Sequence, residues 1–453
     1  AACASHARKA TDRAMEFLDA RRLTGPNVLF HHVGSILDVA CSADEADLLI
    51  PVWADKVGRM LEALDWPSAE FAFVKLQGGI SLAFSAPVDQ LYAASEINEW
   101  AWAAGAFELG LSQDKPDFEE ALSALRKSAA EEANVELMWL IDEAAGRGKT
   151  LLWDDDEVSL GLGKGSETWA VREIPDAPDW DSFQDVPVGI VTGTNGKTTS
   201  VRLAKHIFRA AGRNVGVSST DWIAVNERII DRDDWSGPGG ARAVLREKEV
   251  DAAILETARG GLLRRGLGVE RADAALITNI SEDHLGDFGS RNLDELLAIK
   301  WVVSHAVRKS GRLVLNADDW RLVEKAKDYD GEIVWFSLDP GNDVVTSHVK
   351  AGGSAFVLDG DELLKIENSA RSLLCRGHEI PITLGGAARH NTANALSAAA
   401  LTWCLGTSLT HIRTGLVTMH QDENPGRCNY FDLNGINILI DFAHNPAAMG
   451  ALF

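Results

Sequence analysis

The run from 188 to 200, Val-Gly-Ile-Val-Thr-Gly-Thr-Asn-Gly-Lys-Thr-Thr-Ser, restricts the chain to a small set of folds. An apolar stretch, 188–191, meets a glycine-rich turn that ends in Gly196-Lys197-Thr198. Helical spacing follows, carried by Val201, Leu203, Ala204, Ile207 and Phe208. Strand, glycine turn and helix in that order are the setting of a phosphate-binding loop. Gly193 and Gly196 lack a Cβ, so the backbone can curl until its N–H groups face an anion. The start of the following helix adds partial positive charge at the same place. In that reading Lys197 reaches the β- and γ-phosphates and the Thr198 hydroxyl holds Mg²⁺. The general pattern asks for glycine at position 191, where this chain has Val191. An ordinary glycine-rich β–α turn is the plainer alternative.

With 453 residues the chain has room for two to four domains. It is 46% hydrophobic and 25% charged, as expected of a globular protein with sizeable cores. No apolar run has the length of a membrane-spanning helix, and residues 1–8 lack the apolar core of a secretory signal. Cys3, Cys41, Cys375, Cys404 and Cys428 lie far apart without a C-x-x-C pair. The expectation is reduced thiols in a cytoplasmic protein, with neither a disulfide frame nor a zinc site. The net charge is −23, from 67 acidic against 44 basic residues. Such a field repels nucleic acid, and no basic stripe offsets it.

Before the loop, helical and extended patterns alternate. The spacing predicts helices over 10–23, 54–64, 97–109 and 118–140. Residues 71–76 and 80–85 alternate across Gly78-Gly79, which predicts a β-hairpin. The segment 37–47 is mixed and carries no assignment. Trp100, Trp102 and Phe107 are expected in the core or at a subunit contact, since an acidic context argues against base stacking. The glycine-rich run 158–166 is expected to be a hairpin between 150–152 and 168–171, because no helix pattern opens after it. The Pro- and Asp-rich segment 172–183 suits a linker. From about 183 to 422, strand and helix patterns alternate, the signature of a parallel sheet covered on both faces. The apolar runs 252–255, 274–277 and 313–315 suit buried strands. Their C-terminal ends are where ligands bind in open α/β sheets.

Polar constellations fall at those ends. Glu256 closes one strand, where a carboxylate suits Mg²⁺; a solvent-exposed strand-end glutamate is the alternative. Arg264 and Arg265 can clamp a substrate carboxylate or form a surface salt bridge. His284 follows a buried strand, and Lys300 ends the helical pattern 293–299. Asn391 and Asn394 lie on one helix face, and each amide both donates and accepts, as adenine recognition requires. Helix capping by Asn391 is the competing role.

The loop Thr-Gly-Thr-Asn-Gly-Lys-Thr-Thr at 192–199 resembles that of the Mur ligases, the ATP-dependent amide ligases of cell-wall synthesis. Residues 256–268 are similar almost residue for residue to the Mur-ligase half of the cyanophycin synthetases. Asn279, Asp283 and His284 resemble the Mur signature Thr-Asn-x-x-x-Asp-His-Leu, and 390–395 resembles His-Asn-x-x-Asn-Ala. Residues 424–429 and 440–446 resemble the opening of the Mur C-terminal domain. The resemblance covers most of 137–453 and is vaguer before 137. No ATP-grasp domain stands between 171 and the loop, where the cyanophycin synthetases have one.

The resemblance implies an α/β protein: an N-terminal α+β domain (1–175), a central parallel-sheet ATPase domain of Mur-ligase type (176–422), and the start of a Rossmann-like C-terminal domain (423–453). A lone hairpin is not independently stable, so 423–453 is expected to be part of a longer natural chain or the remnant of a lost domain. The resemblance implies an ATP-dependent, ADP-forming ligase that activates a carboxylate as an acyl phosphate and joins it to an amino acid amine. Its catalytic residues are Lys197, Glu256, His284 and Lys300. Two Mg²⁺ are held among Thr198, Glu256, His284 and a Lys300 that is carbamylated in many Mur ligases. ATP contacts fall on Gly193, Thr194, Asn195, Gly196, Lys197, Thr198 and Thr199, on Asn391 and Asn394 for adenine, on Arg427 and Asp441 for ribose, and on His444 and Asn445. Arg264 and Arg265 are the substrate candidates. Amino acids or short peptides are the expected partners, with neither nucleic acid nor membrane, in a homo-oligomer. The competing class is an ATP-binding pseudo-ligase or partner-dependent subunit.

Overall fold

The computed structural model describes residues 15–283 and 292–452. Two compact units emerge. One comprises the described residues up to 23 together with 29–134; the other comprises 24–28, 135–283 and 292–452.

The first unit is a four-stranded antiparallel sheet with helices. Its strands are β1 (Glu16–Leu23), β2 (Gly34–Ala40), β3 (Phe71–Leu76) and β4 (Gly79–Ser85), in the order β1-β2-β4-β3. The hairpin expected across Gly78-Gly79 is present as β3–β4. Helix α1 (Ala43–Ala63) starts at a capping box in which Ser42 and Glu45 satisfy each other's backbone N–H groups. Helix α2 (Leu91–Glu108) and α3 (Phe118–Glu132) complete the unit. Trp53, Leu82, Phe84 and Ile97 are among its buried core residues. Trp100 and Trp102 pack against that core.

Two sequence expectations fail in this region. The helix expected over 10–23 is strand β1 from Glu16 onward; residues 10–14 lie outside the described residues. Pairing with β2 satisfies its backbone, and a bulge between Phe17 and Asp19 leaves Phe17 and Leu18 exposed, not on a core face. The helix expected over 118–140 is broken. Ala133 turns to extended backbone, and the Asn134 N–H donates to Asp89 Oδ2 at 2.8 Å.

Glu132 makes this unit pH-sensitive. Its carboxylate accepts from Tyr92 N–H (3.1 Å) and Ala93 N–H (3.0 Å), closing the start of α2. Burial outweighs those bonds and pushes its pKa up from 4.5 to about 7. A raised carboxyl pKa stabilises the folded state fully below the ordinary value, and that stabilisation is lost as pH rises through about 7. Glu132→Gln is expected to remove this slope, amounting to about 1–2 kcal/mol after allowance for partial exposure. Unfolding midpoints of both proteins between about pH 5 and pH 8 check it; parallel profiles would refute it.

The second unit opens with α4 (Val135–Gly146) and a meander of β5 (Leu151–Trp153), β6 (Glu157–Leu160) and β7 (Glu167–Ala170). The expected two-stranded hairpin is therefore three-stranded, with β6 between the other two. A large sheet follows, built on β8 (Val188–Thr192), β9 (Val215–Ser218), β10 (Ile223–Val225), β11 (Arg228–Asp231), β12 (Ala252–Glu256), β13 (Ala272–Ile277), β14 (Val307–Asn316), β15 (Glu332–Ser337), β16 (Ser354–Asp359), β17 (Glu362–Glu367) and β18 (Ala370–Arg376). Its order is β11-β10-β9-β12-β8-β13-β14-β15-β16-β17-β18. The seven strands from β9 to β16 in that order run parallel; the two at each edge are antiparallel.

The two-residue period of the strands sorts side chains onto two helical layers. Val188, Ile190, Ala253, Leu255, Ala275 and Ile277 face one core. Val191, Ile254, Ala274 and Leu276 face the other, with α5 (Lys197–Ala210), α11 (Arg389–Cys404) and α12 (Leu409–Thr418). Between them in sequence, α6 (Pro238–Arg246), α7 (Arg259–Arg264), α8 (Leu293–Trp301), α9 (Trp320–Lys325) and α10 (Asp343–Lys350) supply the first layer. The chain closes with a two-stranded hairpin, β19 (Asn429–Leu433) and β20 (Ile436–Ile440), and α13 (Pro446–Leu452). The architecture is α/β with a mostly parallel central sheet. Among the described residues no helix is long and apolar enough to cross a membrane.

Candidate nucleotide and metal site

Strand β8 lies between β12 and β13, with β8 and β12 buried throughout, so its loop emerges amid the C-terminal ends of three strands. Gly193 has φ +141° and Gly196 φ +84°, values that L side chains rarely adopt. A Cβ on Gly193 would come 1.9 Å from Thr278 Oγ1, and one on Gly196 would come 2.2 Å from Asn394 Oδ1. Gly196 is the N-cap of α5, and no side chain caps that helix. Its first-turn N–H groups therefore suit an anion. Gly196→Ala is expected to destabilise the protein by about 2–4 kcal/mol, from strain and from displacement of Asn394. Chemical denaturation checks it; an unchanged midpoint would show that the loop has no need of glycine there.

The loop is held from β13's end. Asn279 Oδ1 accepts from Asn195 N–H (3.0 Å), and Asn279 Nδ2 and Thr278 Oγ1 both donate to Asn195 O (2.9 and 2.6 Å). Thr194 Oγ1 donates to Ser281 O and accepts from Ser281 N–H. Asn195 exchanges amide hydrogen bonds with Asn445, at 3.2 and 2.9 Å. Thr278 and Ser281 were not singled out in the sequence, although polar residues just past a buried parallel strand are the available signal.

Lys197 Nζ donates to Thr194 O at 3.0 Å. Burial lowers its pKa, while the charges of Glu256, Asp283 and Asp234 act the other way. Thr198 Oγ1 donates to Glu256 Oε1 at 3.3 Å, and Thr199 is buried beside it in sequence. Glu256 is 1% exposed, and its Oε2 has no hydrogen-bond partner among the described residues. Burial raises its pKa. A buried carboxylate oxygen without a partner, next to a hydroxyl, is a donor set that fits Mg²⁺. Among the described residues no three His, Cys, Asp or Glu side chains gather into a metal cluster. Lys300 is 4% exposed and donates to Gly193 O at 2.7 Å; burial lowers its pKa well below the ordinary value. It is not a surface lysine.

Other predicted residues distribute as follows. Asn391 is not the cap of α11, which is Ala388. Its amide donates to Ile382 O and accepts from Asn394, whose carbonyl oxygen backs Gly196. The Arg427 guanidinium lies over the Phe442 ring at 4.6 Å, and its charge acts on both Lys197 and Glu256. Asp441 Oδ2 accepts from Cys428 N–H at 2.7 Å. His444 Nε2 approaches Asp283 Oδ1 at 3.3 Å. Arg264 and Arg265 are exposed at the end of α7. His284 lies outside the described residues.

Residues 191–402 match the family described as the Mur ligase middle domain. The match covers just under half of the chain. Its bounds run from the strand carrying the loop to the helix carrying Asn391 and Asn394. The cyanophycin synthetase of Crocosphaera subtropica is 36% identical over 274 residues, 60% of this chain and 31% of that protein. The cyanophycin synthetase of Trichormus variabilis is 38% identical over 269 residues, 59% of this chain and 30% of that protein. The chain thus spans under a third of the length of these relatives. A crystal structure of MurF from Acinetobacter baumannii is 22% identical, covering 59% of this chain and 53% of that one, with a TM-score of 0.44.

Proposed function

We propose that this chain catalyses ATP-dependent, ADP-forming amide ligation. The observation that carries the reading is the buried, half-partnered Glu256 beside Thr198, at the uncapped start of the helix that begins with Lys197. A substrate carboxylate oxygen attacks the γ-phosphorus of ATP, and ADP leaves. An amine nitrogen then attacks the acyl carbon; phosphate leaves and the nitrogen loses a proton. The carboxylate needs no dedicated base, so positioning and charge neutralisation dominate.

Lys197 and the first-turn N–H groups of α5 hold the phosphates and neutralise charge developing on the γ-phosphoryl group. Thr198 would hold one divalent cation; Glu256, His284 and a carbamylated Lys300 would hold or organise the other. Bound Mg²⁺ supplies charge neutralisation and a template for the phosphates. Lys300 is the carbamylation candidate, since a desolvated lysine has the neutral amine that adds to CO₂. Asn391 and Asn394 would serve adenine, Arg427 and Asp441 ribose, His444 and Asn445 the nucleotide side, and Arg264 and Arg265 the acceptor carboxylate. Amino acids or short peptides are the proposed substrates, in a cytoplasmic homo-oligomer. The proposed divisions remain 1–175, 176–422 and 423–453.

The test is product detection by mass spectrometry, on the natural full-length chain with MgATP, pooled amino acids and short Asp- or Glu-containing peptides. A product equal to acid plus amine minus water, with ADP release, supports the ligase. Nucleotide binding with no amide in any pool would overturn it in favour of a pseudo-ligase or partner-dependent subunit.

A further inference from the structure

We propose that Arg202 is a positioning residue for the nucleotide site: its guanidinium fastens the 424–429 loop to helix α5 and so sets where Arg427 stands. The inference rests on the nucleotide reading above and adds a residue to it.

Arg202 lies five positions after Lys197 on α5, and it is 6% exposed. One guanidinium nitrogen donates to Asn424 Oδ1 and Pro425 O, both at 3.1 Å. The other donates to Asp221 Oδ2 at 2.7 Å. Asn424 is fully buried. The loop beyond it is knitted by its own side chains. Asn429 Oδ1 accepts from Gly426 N–H at 2.6 Å, and Asn429 Nδ2 donates to Asn424 O and Gln421 O. Cys428 is held at φ +56°, unusual for a residue with a Cβ, and its N–H donates to Asp441 Oδ2. These bonds tie the loop to its own side chains from Asn424 to Asn429. His206 and Arg209 of α5 hold Glu423, just ahead of the loop, and Arg202 reaches from the same helix into the loop's first two residues, next to Arg427.

Arg427 sits inside that loop, and its charge acts on Lys197 and on Glu256. A buried cation is a poor choice for stability alone, since an apolar pair of similar volume does as well or better. A planar fork that reads a side-chain oxygen, a carbonyl and a carboxylate at once is suited to fixing geometry.

The experiment is equilibrium binding of a fluorescent ATP analogue with Mg²⁺ to the full chain, in wild type, Arg202→Lys, Arg427→Ala and the double variant. Lysine keeps the charge and loses the fork. Arg202→Lys is expected to weaken binding about tenfold, the scale on which a binding residue's outer support acts. The double variant is expected to bind within about twofold of Arg427→Ala alone, because the two residues act through one contact. A merely structural arginine would give additive losses instead, and that result overturns the proposal. So does an Arg202→Lys protein within about twofold of wild type. Wild type that binds no nucleotide overturns the site reading and this inference together. If Arg202→Lys fails to fold, Asp221→Asn, which frees the opposite side of the fork, is judged by the same two criteria.

Discussion

Lys197→Ala is expected to lower MgATP-dependent ADP release by about 10³-fold, while shifting the unfolding midpoint by only a few degrees. The first half follows from position. Lys197 opens the helix whose uncapped N-terminus faces the loop, and the charges of Glu256, Asp283 and Asp234 favour its ammonium form against the cost of burial. Its ammonium donates to Thr194 O, three residues back in its own loop. A γ-phosphoryl group would exchange that single neutral acceptor for charged oxygens, which bind a cation far more strongly. The second half follows from what is lost in the protein alone. Removing one hydrogen bond to Thr194 O costs about 1 kcal/mol. Lys197→Arg is not expected to restore activity, since a fork does not replace a compact point charge. ADP release within tenfold of wild type in Lys197→Ala would remove the catalytic role.

How far the sequence led depends on whether local pattern or distant pairing decides a segment. The β8–α5 unit was legible because its signals are local: an apolar run, two glycines whose φ values need them, and helical spacing. The parallel strands were legible because burial on both faces makes them continuously apolar, as in 252–255 and 274–277. Strand β1 was not. Its polar and apolar residues fit a helix as well as a strand, and only the antiparallel ladder with β2 decides between them. The break after α3 was hidden for a similar reason, since the group that accepts from Asn134 N–H is Asp89, 45 residues away.

The same division runs through the site. Lys197, Thr198 and Glu256 were legible because each follows a strand end or a glycine turn at fixed spacing. Lys300 carried no local sign of burial, yet it is closed in against Gly193 O. Ser281 and Asp221 act through contacts that no spacing encodes. Helical spacing makes Asn391 an amide that faces a ligand or caps a helix. That spacing does not show a further contact, in which its amide holds Asn394, which in turn backs the glycine of the loop.

Glu256→Gln is expected to separate function from stability. Wild type buries a carboxyl group whose Oε1 meets the Thr198 hydroxyl at 3.3 Å and whose Oε2 has no partner among the described residues. Leaving a buried polar atom unpaired costs about 1–3 kcal/mol, and more when the group is charged. A residue selected for the fold alone would not carry that penalty at the end of a buried strand. The amide is the same size and has no charge to desolvate, so the variant is expected to unfold about 1–2 °C higher per kcal/mol regained. The same change removes a hard anionic oxygen from the proposed cation site. ADP release is therefore expected to fall about 10²-fold to 10³-fold, with a higher Mg²⁺ requirement in what remains. The two readouts must move in opposite directions. Loss of stability together with activity would make Glu256 a structural residue whose removal damages the site from outside. Unchanged ADP release at all Mg²⁺ concentrations would overturn the proposed role of Glu256.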